Sequence, residues 1–339
     1  MGSENRLAHA TVYDVAETAG VSVRTVGRFF KAPFKLAEAT QERVREAISE
    51  LDYRPNVYAH RMSSREQNVL AAMVFFANGH PLSDLHRLLL GFVSRKLCAS
   101  GWDLLLIAVD WENEARVIKE SVRQHKFDSL LLLSMVTGKM QAELAKSGMR
   151  VVTIDWMPDR TNASYTYVGI DYFQSSYDYT MALLAKGYRR IGYVAPDTFH
   201  ARAAGAAQAV ADFGSSAEYI SIPVDGAVGL GEQGDLAVAA LSGLNDAPDL
   251  LYCYSDMLAL AVMASLQSAG RRVPEDVGVA GFDGNEMAAV SCPTLTTMVQ
   301  PWEQMAAQAV DLLLASGETD TGAQQKIMLP TTIRWGESC

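Results

Sequence analysis

Apolar and polar residues near the start of the chain alternate with the period of an α-helix. Four apolar residues fall on one helical face: Val12, Val15, Ala16 and Ala19. Thr11, followed three residues later by Asp14, is typical of a capping box, in which each side chain bonds the backbone N–H of the other residue. The pattern therefore predicts a first helix that begins directly after Thr11.

A second helix is predicted after a tight turn. Gly20 stands where the first helix must end, because glycine enters the left-handed region without steric cost. Ser22 offers a hydroxyl N-cap to a helix from Val23 to Phe30. Two short helices joined in this way favour a helix-turn-helix, whose second helix enters the major groove of DNA. An ordinary antiparallel helix pair is the alternative.

Two further segments follow before residue 65. An amphipathic stretch from Thr40 to Leu51 predicts a third helix, which ends before Pro55 because the residue preceding a proline is disfavoured in helices. The segment from Asn56 to Ser64 has the length of two helical turns, and so short a helix needs a partner surface. A polar linker is the alternative reading of this segment.

From Val69 onward, short apolar runs alternate with amphipathic helical patterns. Strands are predicted at Val69–Phe75, Trp102–Val109, Ser129–Ser134, Val151–Ile154, Arg190–Val194, Ile220–Val224, Leu250–Tyr254, Val277–Phe282 and Thr296–Met298. Helices are predicted at Leu85–Ser100, Glu112–His125, Gln174–Lys186, Arg202–Phe213, Gly234–Ser242, Met257–Ala269 and Trp302–Ala315. The alternation predicts an α/β fold with parallel sheets, which bind ligands at the carboxyl ends of their strands.

Charge is unevenly distributed along the 339 residues, whose formal net charge is −10. Residues 1–64 contain nine basic and eight acidic residues, a net charge of +1, so the remainder of the chain carries a net charge of −11. Non-specific attraction of the amino-terminal part to phosphate is therefore expected to be moderate. The placement of four basic residues matters more than their number: Arg24, Arg28, Lys31 and Lys35.

The sequence favours a cytoplasmic protein without cofactors. It lacks an apolar run long enough to cross a membrane and an amino-terminal secretion signal, and its four cysteines are widely separated. His80, Asp84 and His86 do not have the spacing of a metal site, so no metal is expected. Gly229 to Gly234 satisfies G-x-G-x-x-G and leaves an NAD(P)-dependent enzyme as an alternative, but the loop before it is too long. No catalytic motif accompanies it, and we expect a protein that is not an enzyme.

The chain resembles the lactose-repressor (LacI/GalR) family of bacterial transcription regulators. The resemblance is carried by T-V-Y-D-V-A-E-T-A-G-V-S, T-V-G-R, E-R-V-R-E-A-I-S-E-L-D-Y-R-P-N, V-P-E-D-V-G-V-A-G-F-D and P-T-L-T-T, in this order along the chain. It implies a DNA-binding head at residues 10–55, a hinge helix at 56–66 and a two-lobed domain at 67–335 shaped like a periplasmic binding protein. Lobe 1 comprises about 68–168 and 299–318, and lobe 2 comprises 169–298 and 319–335. A solute-binding protein without DNA function is the remaining alternative.

The resemblance also implies the residues that contact DNA. Val23, Arg24 and Arg28 are expected to face base edges, while Thr11, Ser22, Thr25 and Lys31 are placed for the DNA backbone. Tyr53, Asn56 and Met62 are further expected contacts, with Met62 at the position from which the family inserts a side chain into the minor groove. Gly27 departs from the serine usual in the family. The expected partner is a palindromic operator bound by a homodimer, and no membrane is involved.

Candidate effector residues follow from the same resemblance. Thr198 and Arg202 match the family pattern S/T-x-x-x-R-x-x-G, which ends at Gly205, and Asp283 matches the aspartate of G-[FY]-D. Further candidates are Asp171, Ser255 and Trp156. The alternatives are a salt bridge for Arg202, helix caps for Asp283, Asp171 and Ser255, and core packing for Trp156. Arg202→Ala is expected to abolish the ligand response without affecting folding.

Several family features of the effector site are absent. The aromatic loop after the first strand is replaced by residues 79–84, and no aromatic residue is found near Gly229. These losses weaken the expectation of an ordinary sugar, and Arg202 leaves a sugar acid or another anionic metabolite open. The expected effector is therefore a carbohydrate or an anionic metabolite.

Overall fold

The structure, a computed structural model, describes most of the chain. The residues described are 10–53, 68–75, 84–109, 113–124, 126–133, 138–155, 166–196, 200–244, 246–315 and 325–339. The chain divides into two compact units, Met1–Gln67 and Asn68–Cys339. Among the described helices, none combines the length and the apolar content needed to cross a bilayer.

The first unit is helical. It contains α1 (Val12–Thr18), α2 (Val23–Lys31), a 3-10 turn (Pro33–Lys35) and α3 (Glu38–Glu50). The capping box of α1 forms, because Asp14 N donates to Thr11 Oγ1 at 3.4 Å and Thr11 N donates to Asp14 Oδ2 at 2.7 Å. The turn has Gly20 at φ +60°, and Ser22 Oγ caps α2 by accepting from Thr25 N at 3.1 Å. The predicted helix-turn-helix is confirmed.

A small apolar core holds these three helices together. Its buried members are Val15, Ala16, Ala19, Val26, Val44 and Ala47. Val26 is the member contributed by α2, so one side of that helix is fixed against α1 and α3. The opposite side of α2 is left facing solvent.

The second unit is built from alternating strands and helices. The strands are β1 (Val69–Phe75), β2 (Asp103–Val109), β3 (Ser129–Leu132), β4 (Arg150–Ile154), β5 (Thr166–Gly169), β6 (Arg190–Ala195), β7 (Glu218–Pro223), β8 (Leu250–Cys253), β9 (Gly278–Asp283), β10 (Thr296–Val299), β11 (Lys326–Met328) and β12 (Thr332–Arg334). The helices are α4 (Asp84–Cys98), α5 (Glu114–Arg123), α6 (Gly138–Ser147), α7 (Tyr172–Ala185), α8 (His200–Phe213), α9 (Leu230–Leu241), α10 (Asp256–Ser268), α11 (Met287–Val290) and α12 (Trp302–Leu314).

The strands form two six-stranded sheets, one in each lobe. The first has the order β11-β5-β4-β3-β1-β2 and the second the order β12-β10-β9-β8-β6-β7. Neighbouring strands are parallel, except that β12 runs antiparallel to β10. The predicted α/β class with parallel sheets is confirmed.

The chain crosses between the two sheets three times. It leaves β5 of the first sheet for α7, leaves β10 of the second sheet for α12, which packs on the first sheet, and passes from β11 to β12. The predicted lobe boundaries need one correction here, because residues 319–335 do not all belong to lobe 2. β11 pairs with β5 in the first sheet, where Tyr167 N donates to Gln325 O at 2.9 Å.

Candidate functional site

One face of α2 is exposed and basic. At 100° per residue, Val23, Arg24, Gly27, Arg28 and Lys31 fall within an arc of about 140°, opposite the buried Val26. All three residues expected to face base edges are exposed: Val23, Arg24 and Arg28. The core fixes the orientation of the helix, so this face is presented as one surface.

The hydroxyls expected at the DNA backbone lie at helix starts. Thr11 Oγ1 donates to Asp14 Oδ2 at 2.7 Å, while Ser22 Oγ and Thr25 Oγ1 share a hydrogen bond of 2.9 Å. Tyr53, a further expected DNA contact, packs against Phe30, with ring centroids 6.4 Å apart, and burial raises the pKa of its phenol. Asn56, Met62 and the side chain of Lys31 lie outside the described residues.

In the second unit, polar residues gather where strands end. Asp155 follows β4, Tyr172 begins α7 after β5, Arg202 lies in the first turn of α8 after β6, Asp283 ends β9 and Gln300 follows β10. The carboxyl ends of parallel strands meet at one edge of each sheet, and hydrogen bonds and ion pairs link these five residues into one network. Asp155 belongs to the first lobe and Arg202 and Asp283 to the second, while Tyr172 and Gln300 lie at two of the crossings. The network therefore joins the two lobes at the carboxyl ends of their strands.

Arg202 is the centre of this network. Only 8% of the residue is exposed, its Nη1 lies 3.8 Å from Asp283 Oδ1, and the same nitrogen donates to Tyr254 O. Its guanidinium carbon lies 4.5 Å from the ring centre of Tyr172 and 4.4 Å from that of Phe282. Arg202→Ala would leave Asp283 without its cation, at a cost on the order of 3 kcal/mol. We therefore expect the variant to be less stable than wild type, contrary to the expectation from sequence.

Asp283 is held in an unusual backbone conformation, with φ +122°. Its carboxylate accepts from Gln300 Nε2 at 2.9 Å, and its carbonyl accepts from Trp302 Nε1 at 2.7 Å. Burial raises the pKa of Asp283 to about 6, although Arg202 and the bond from Gln300 oppose the shift. The residue is not a helix cap; it joins the strand end to the crossing segment.

Asp155 faces the same cation from the other lobe. Its Oδ1 accepts from the hydroxyl of Tyr172, which also lies 3.5 Å from Gln300 Oε1. Burial raises the pKa of Asp155 to about 7; Arg202 opposes this shift and the charge of Asp283 adds to it. One guanidinium thus interacts electrostatically with two carboxyl groups, those of Asp155 and Asp283.

The remaining candidates are placed differently. Asp171 accepts from Gln174 N at 3.0 Å and Ser255 accepts from Leu258 N at 3.2 Å. Each residue therefore caps a helix, which was the alternative to a role in effector binding. Asp256, beside Ser255, is fully buried, where it accepts from Thr297 Oγ1 at 2.5 Å and Asn285 N at 2.6 Å. Thr198 and Trp156 lie outside the described residues.

Sequence reasoning missed three residues of the network, Asp155, Tyr172 and Gln300, and two of its neighbours, Phe282 and Trp302. Phe282 is the penultimate residue of β9, and the other four follow a strand within three residues. A position at or just after the end of a strand is the sequence signal that could have identified these residues, since ligands of parallel sheets bind at the carboxyl ends of strands.

Two other patterns have structural explanations. A Cβ at Gly234 would lie 2.7 Å from Ala261 O, so this glycine allows α9 to approach α10 closely. His86 Nε2 lies 2.9 Å from Leu133 O. Among the residues that the structure describes, no three His, Cys, Asp or Glu side chains are arranged to hold a metal ion.

Comparisons with known proteins agree with this architecture. Residues 11–56 match the family described as bacterial regulatory proteins of the lacI family, and residues 180–339 match a periplasmic binding protein-like domain. The HTH-type transcriptional regulator DegA of Bacillus subtilis is 26% identical and aligns over 94% of this chain and 95% of its own. The transcriptional repressor PurR of Aliivibrio salmonicida is 28% identical, over 90% and 91%.

Solved structures show the same fold. A complex of the transcriptional regulator CelR with cellobiose is 26% identical, with a TM-score of 0.68 over 97% of this chain and 100% of that one. A Lac repressor dimer bound to operator and the anti-inducer ONPF is 20% identical, with a TM-score of 0.80 over 97% and 98%. A helix-turn-helix unit followed by a two-lobed binding domain defines a DNA-binding transcriptional regulator. This chain has a helix-turn-helix domain of the lacI family and a periplasmic binding protein-like domain, and over most of its length it is similar to such regulators.

Proposed function

We propose that this regulator is a cytoplasmic repressor, which binds a palindromic operator as a homodimer and is controlled by a carbohydrate in the cleft between its lobes. The observation that carries the DNA-binding half of the proposal is the exposed face of α2, fixed by a packed core and bearing Arg24 and Arg28. Two such heads related by a two-fold axis would read two half-sites. The fold shared with a Lac repressor dimer supports this assembly.

Base reading is assigned to three residues of α2. Arginine binds the O6 and N7 atoms of guanine with two hydrogen bonds, which contribute about 1–3 kcal/mol of discrimination. Arg24 and Arg28 are exposed for this role, while Val23, which is 36% exposed, offers only apolar contact, as to a thymine methyl.

The effector site is assigned to the network around Arg202. Fixed hydrogen-bonding groups beside aromatic rings suit a ligand that presents many hydroxyls, since each hydroxyl both donates and accepts. The charge balance favours a neutral sugar over a sugar acid, because Asp155 and Asp283 already share one cation. The relative solved with cellobiose supports the same class of ligand.

The DNA-binding assignment is tested by selecting operators from a random duplex library. Wild type should return a palindrome, and Arg28→Ala should return the same motif with relaxed preference at one symmetric base pair in each half-site. Arg45→Ala is the control, since Arg45 is an exposed residue of α3 paired with Glu42 and should not change the motif. An unchanged motif for Arg28→Ala would refute its assignment.

The effector assignment is tested by thermal-shift screening with neutral mono- and disaccharides and with sugar acids. A hit should stabilise wild type and lose its effect on the double variant Arg202→Met/Asp283→Asn, which removes the cation together with its ion-pair partner. Asp155 then loses its cation as well, but its pKa is already raised to about 7, so it can take up a proton. The same hit should change operator affinity, with a coupling of about 1–3 kcal/mol. Equal stabilisation of wild type and the double variant would place the ligand elsewhere.

A further inference from the structure

Phe34, in the 3-10 turn after α2, is the most exposed large apolar side chain among the described residues, at 80%. We propose that Phe34 and Lys35 extend the DNA interface beyond α2: the ring packs against deoxyribose on the wall of the groove, and the ammonium group contacts the neighbouring phosphate. The proposal rests on the assignment of α2 to the major groove.

The turn that carries Phe34 has a fixed conformation. Ala32 N donates to Arg28 O at 2.8 Å, Lys35 N to Ala32 O at 3.0 Å and Leu36 N to Pro33 O at 2.9 Å. Gln41 Nε2 of α3 donates to Leu36 O at 3.0 Å and ties the turn to the third helix. The backbone at Phe34 is therefore ordered before any partner binds, which lowers the entropic cost of a contact made there.

The turn continues the basic face of α2. That face runs from Val23 to Lys31, the last residue of the helix, and the turn begins two residues later. When the amino-terminal half of a recognition helix meets base edges, its carboxyl end emerges at the groove wall, which consists of deoxyribose and phosphate. Phe34 then meets an apolar sugar surface rather than a base.

Charge identifies nucleic acid as the partner. The sixteen residues from Ser22 to Ala37 contain four basic and no acidic residues, whereas α3, which follows directly, contains four acidic and two basic ones. Of the six basic residues between positions 10 and 53, four thus lie on α2 and the turn. Lys35 Nζ lies 5.9 Å from the centre of the Phe34 ring, so the apolar and cationic groups are presented side by side, as sugar and phosphate are along DNA.

The test measures binding of the full chain to two duplexes of equal length, the selected operator and an unrelated sequence, by fluorescence anisotropy over a range of salt concentrations. The variants are Phe34→Ala, Phe34→Tyr and Lys35→Gln. The control is Trp335→Ala, which removes an exposed aromatic ring from the second unit, where Lys186 Nζ lies 4.2 Å from its centre.

Phe34→Ala should weaken binding to both duplexes by about tenfold without changing the salt dependence, because an apolar contact to sugar is independent of sequence and of counterions. Phe34→Tyr should restore binding. Lys35→Gln should reduce the slope of log K against log salt by about two for a dimer. Trp335→Ala should bind as wild type does.

Three outcomes contradict the proposal. Binding of Phe34→Ala within twofold of wild type would show that the ring makes no contact. Loss of binding on the operator alone would place the ring on a base. A wild-type chain that selects no sequence would overturn the assignment of α2 as well, and the proposal with it.

Discussion

At the scale of single residues, the guanidinium of Arg202 holds the candidate effector site together through its contacts. It pairs with Asp283, donates to the Tyr254 carbonyl and lies against the rings of Tyr172 and Phe282. Lysine could not make these contacts together, because they need a planar cation with several donors in fixed directions. Burial raises the pKa of both carboxyl groups next to this cation, to about 7 for Asp155 and about 6 for Asp283, and the charge of Asp283 adds to the shift of Asp155.

The raised pKa of Asp155, about 7 against an ordinary 3.8, predicts how stability depends on pH. The folded state holds this proton more tightly than the unfolded chain does, so the stabilisation is complete below about pH 4 and is lost as the pH rises through 7. Asp155→Asn mimics the protonated group and can still accept from Tyr172. We expect the melting temperature of the variant to fall less steeply than that of wild type from pH 5 to 8, so that the variant is the more stable protein at pH 8.

Asp276→Asn is the matched control for this measurement. Its bond from Arg272 lowers the pKa of Asp276 to about 2, so this exposed carboxylate stays charged from pH 5 to 8. The control should leave the slope of melting temperature against pH unchanged. Parallel curves for wild type and Asp155→Asn would contradict the raised pKa.

At the scale of elements, the packing of α7 against α8 sets the position of Arg202. A Cβ at Gly205, one turn after Arg202 in α8, would lie 2.2 Å from Phe173 O in α7. The two helices can therefore approach this closely only with glycine at position 205. The glycine that ends the S/T-x-x-x-R-x-x-G pattern thus acts as a positioning residue for the arginine.

Gly205→Ala should force α8 away from α7. Overpacking of this kind costs about 1–3 kcal/mol, and the displaced Arg202 should weaken the thermal shift caused by the effector. Gly91→Ala is the control, because Gly91 lies in α4 with nothing within 4 Å of the position that a methyl group would take, and alanine there should stabilise by up to about 1 kcal/mol. A melting temperature for Gly205→Ala equal to or above that of wild type would refute the close approach.

Amphipathic helices and continuous apolar runs were predictable from sequence, whereas most short elements without such a run were not. The nine predicted strands are found, and so are the predicted helices other than the hinge helix, which lies outside the described residues. Most ends are shifted by two residues or fewer, because burial of one face leaves a clear period. β5, β11, β12 and α11 have three or four residues each, too few for a period, and α6 was also missed. The assignment of residues 319–335 to one lobe was wrong because β11 is defined only by its pairing with β5.

The site was predictable only where a residue belonged to a pattern. Arg202 and Asp283 were found through such patterns, whereas Gln300 and Trp302 become neighbours of Asp283 only when the chain returns from the second sheet. Contacts between residues 128 positions apart in the chain, such as that of the Tyr172 hydroxyl with Gln300, depend on topology, which periodicity does not report.

At the scale of the whole molecule, the two units differ greatly in the size of their apolar cores. Among the residues that the structure describes, the first unit has six buried apolar residues in its core, whereas the second has three large clusters. One of these clusters contains residues from both sheets and from α12. Stability rises with the apolar surface that folding buries, so the second unit should fold alone and the first should be marginal in isolation.

Separate production of residues 1–67 and 68–339 tests this division together with the proposed dimer. Residues 68–339, the body, should unfold cooperatively near the melting temperature of the full chain. The body should also remain dimeric in light scattering and give the same thermal shift with the effector. The head alone should be monomeric and bind the operator at least a hundredfold more weakly than the full chain, because a dimeric body supplies the second head at high effective concentration. A monomeric body at micromolar concentration, or a head that binds as tightly as the full chain, would show that dimerisation through the body does not carry operator binding.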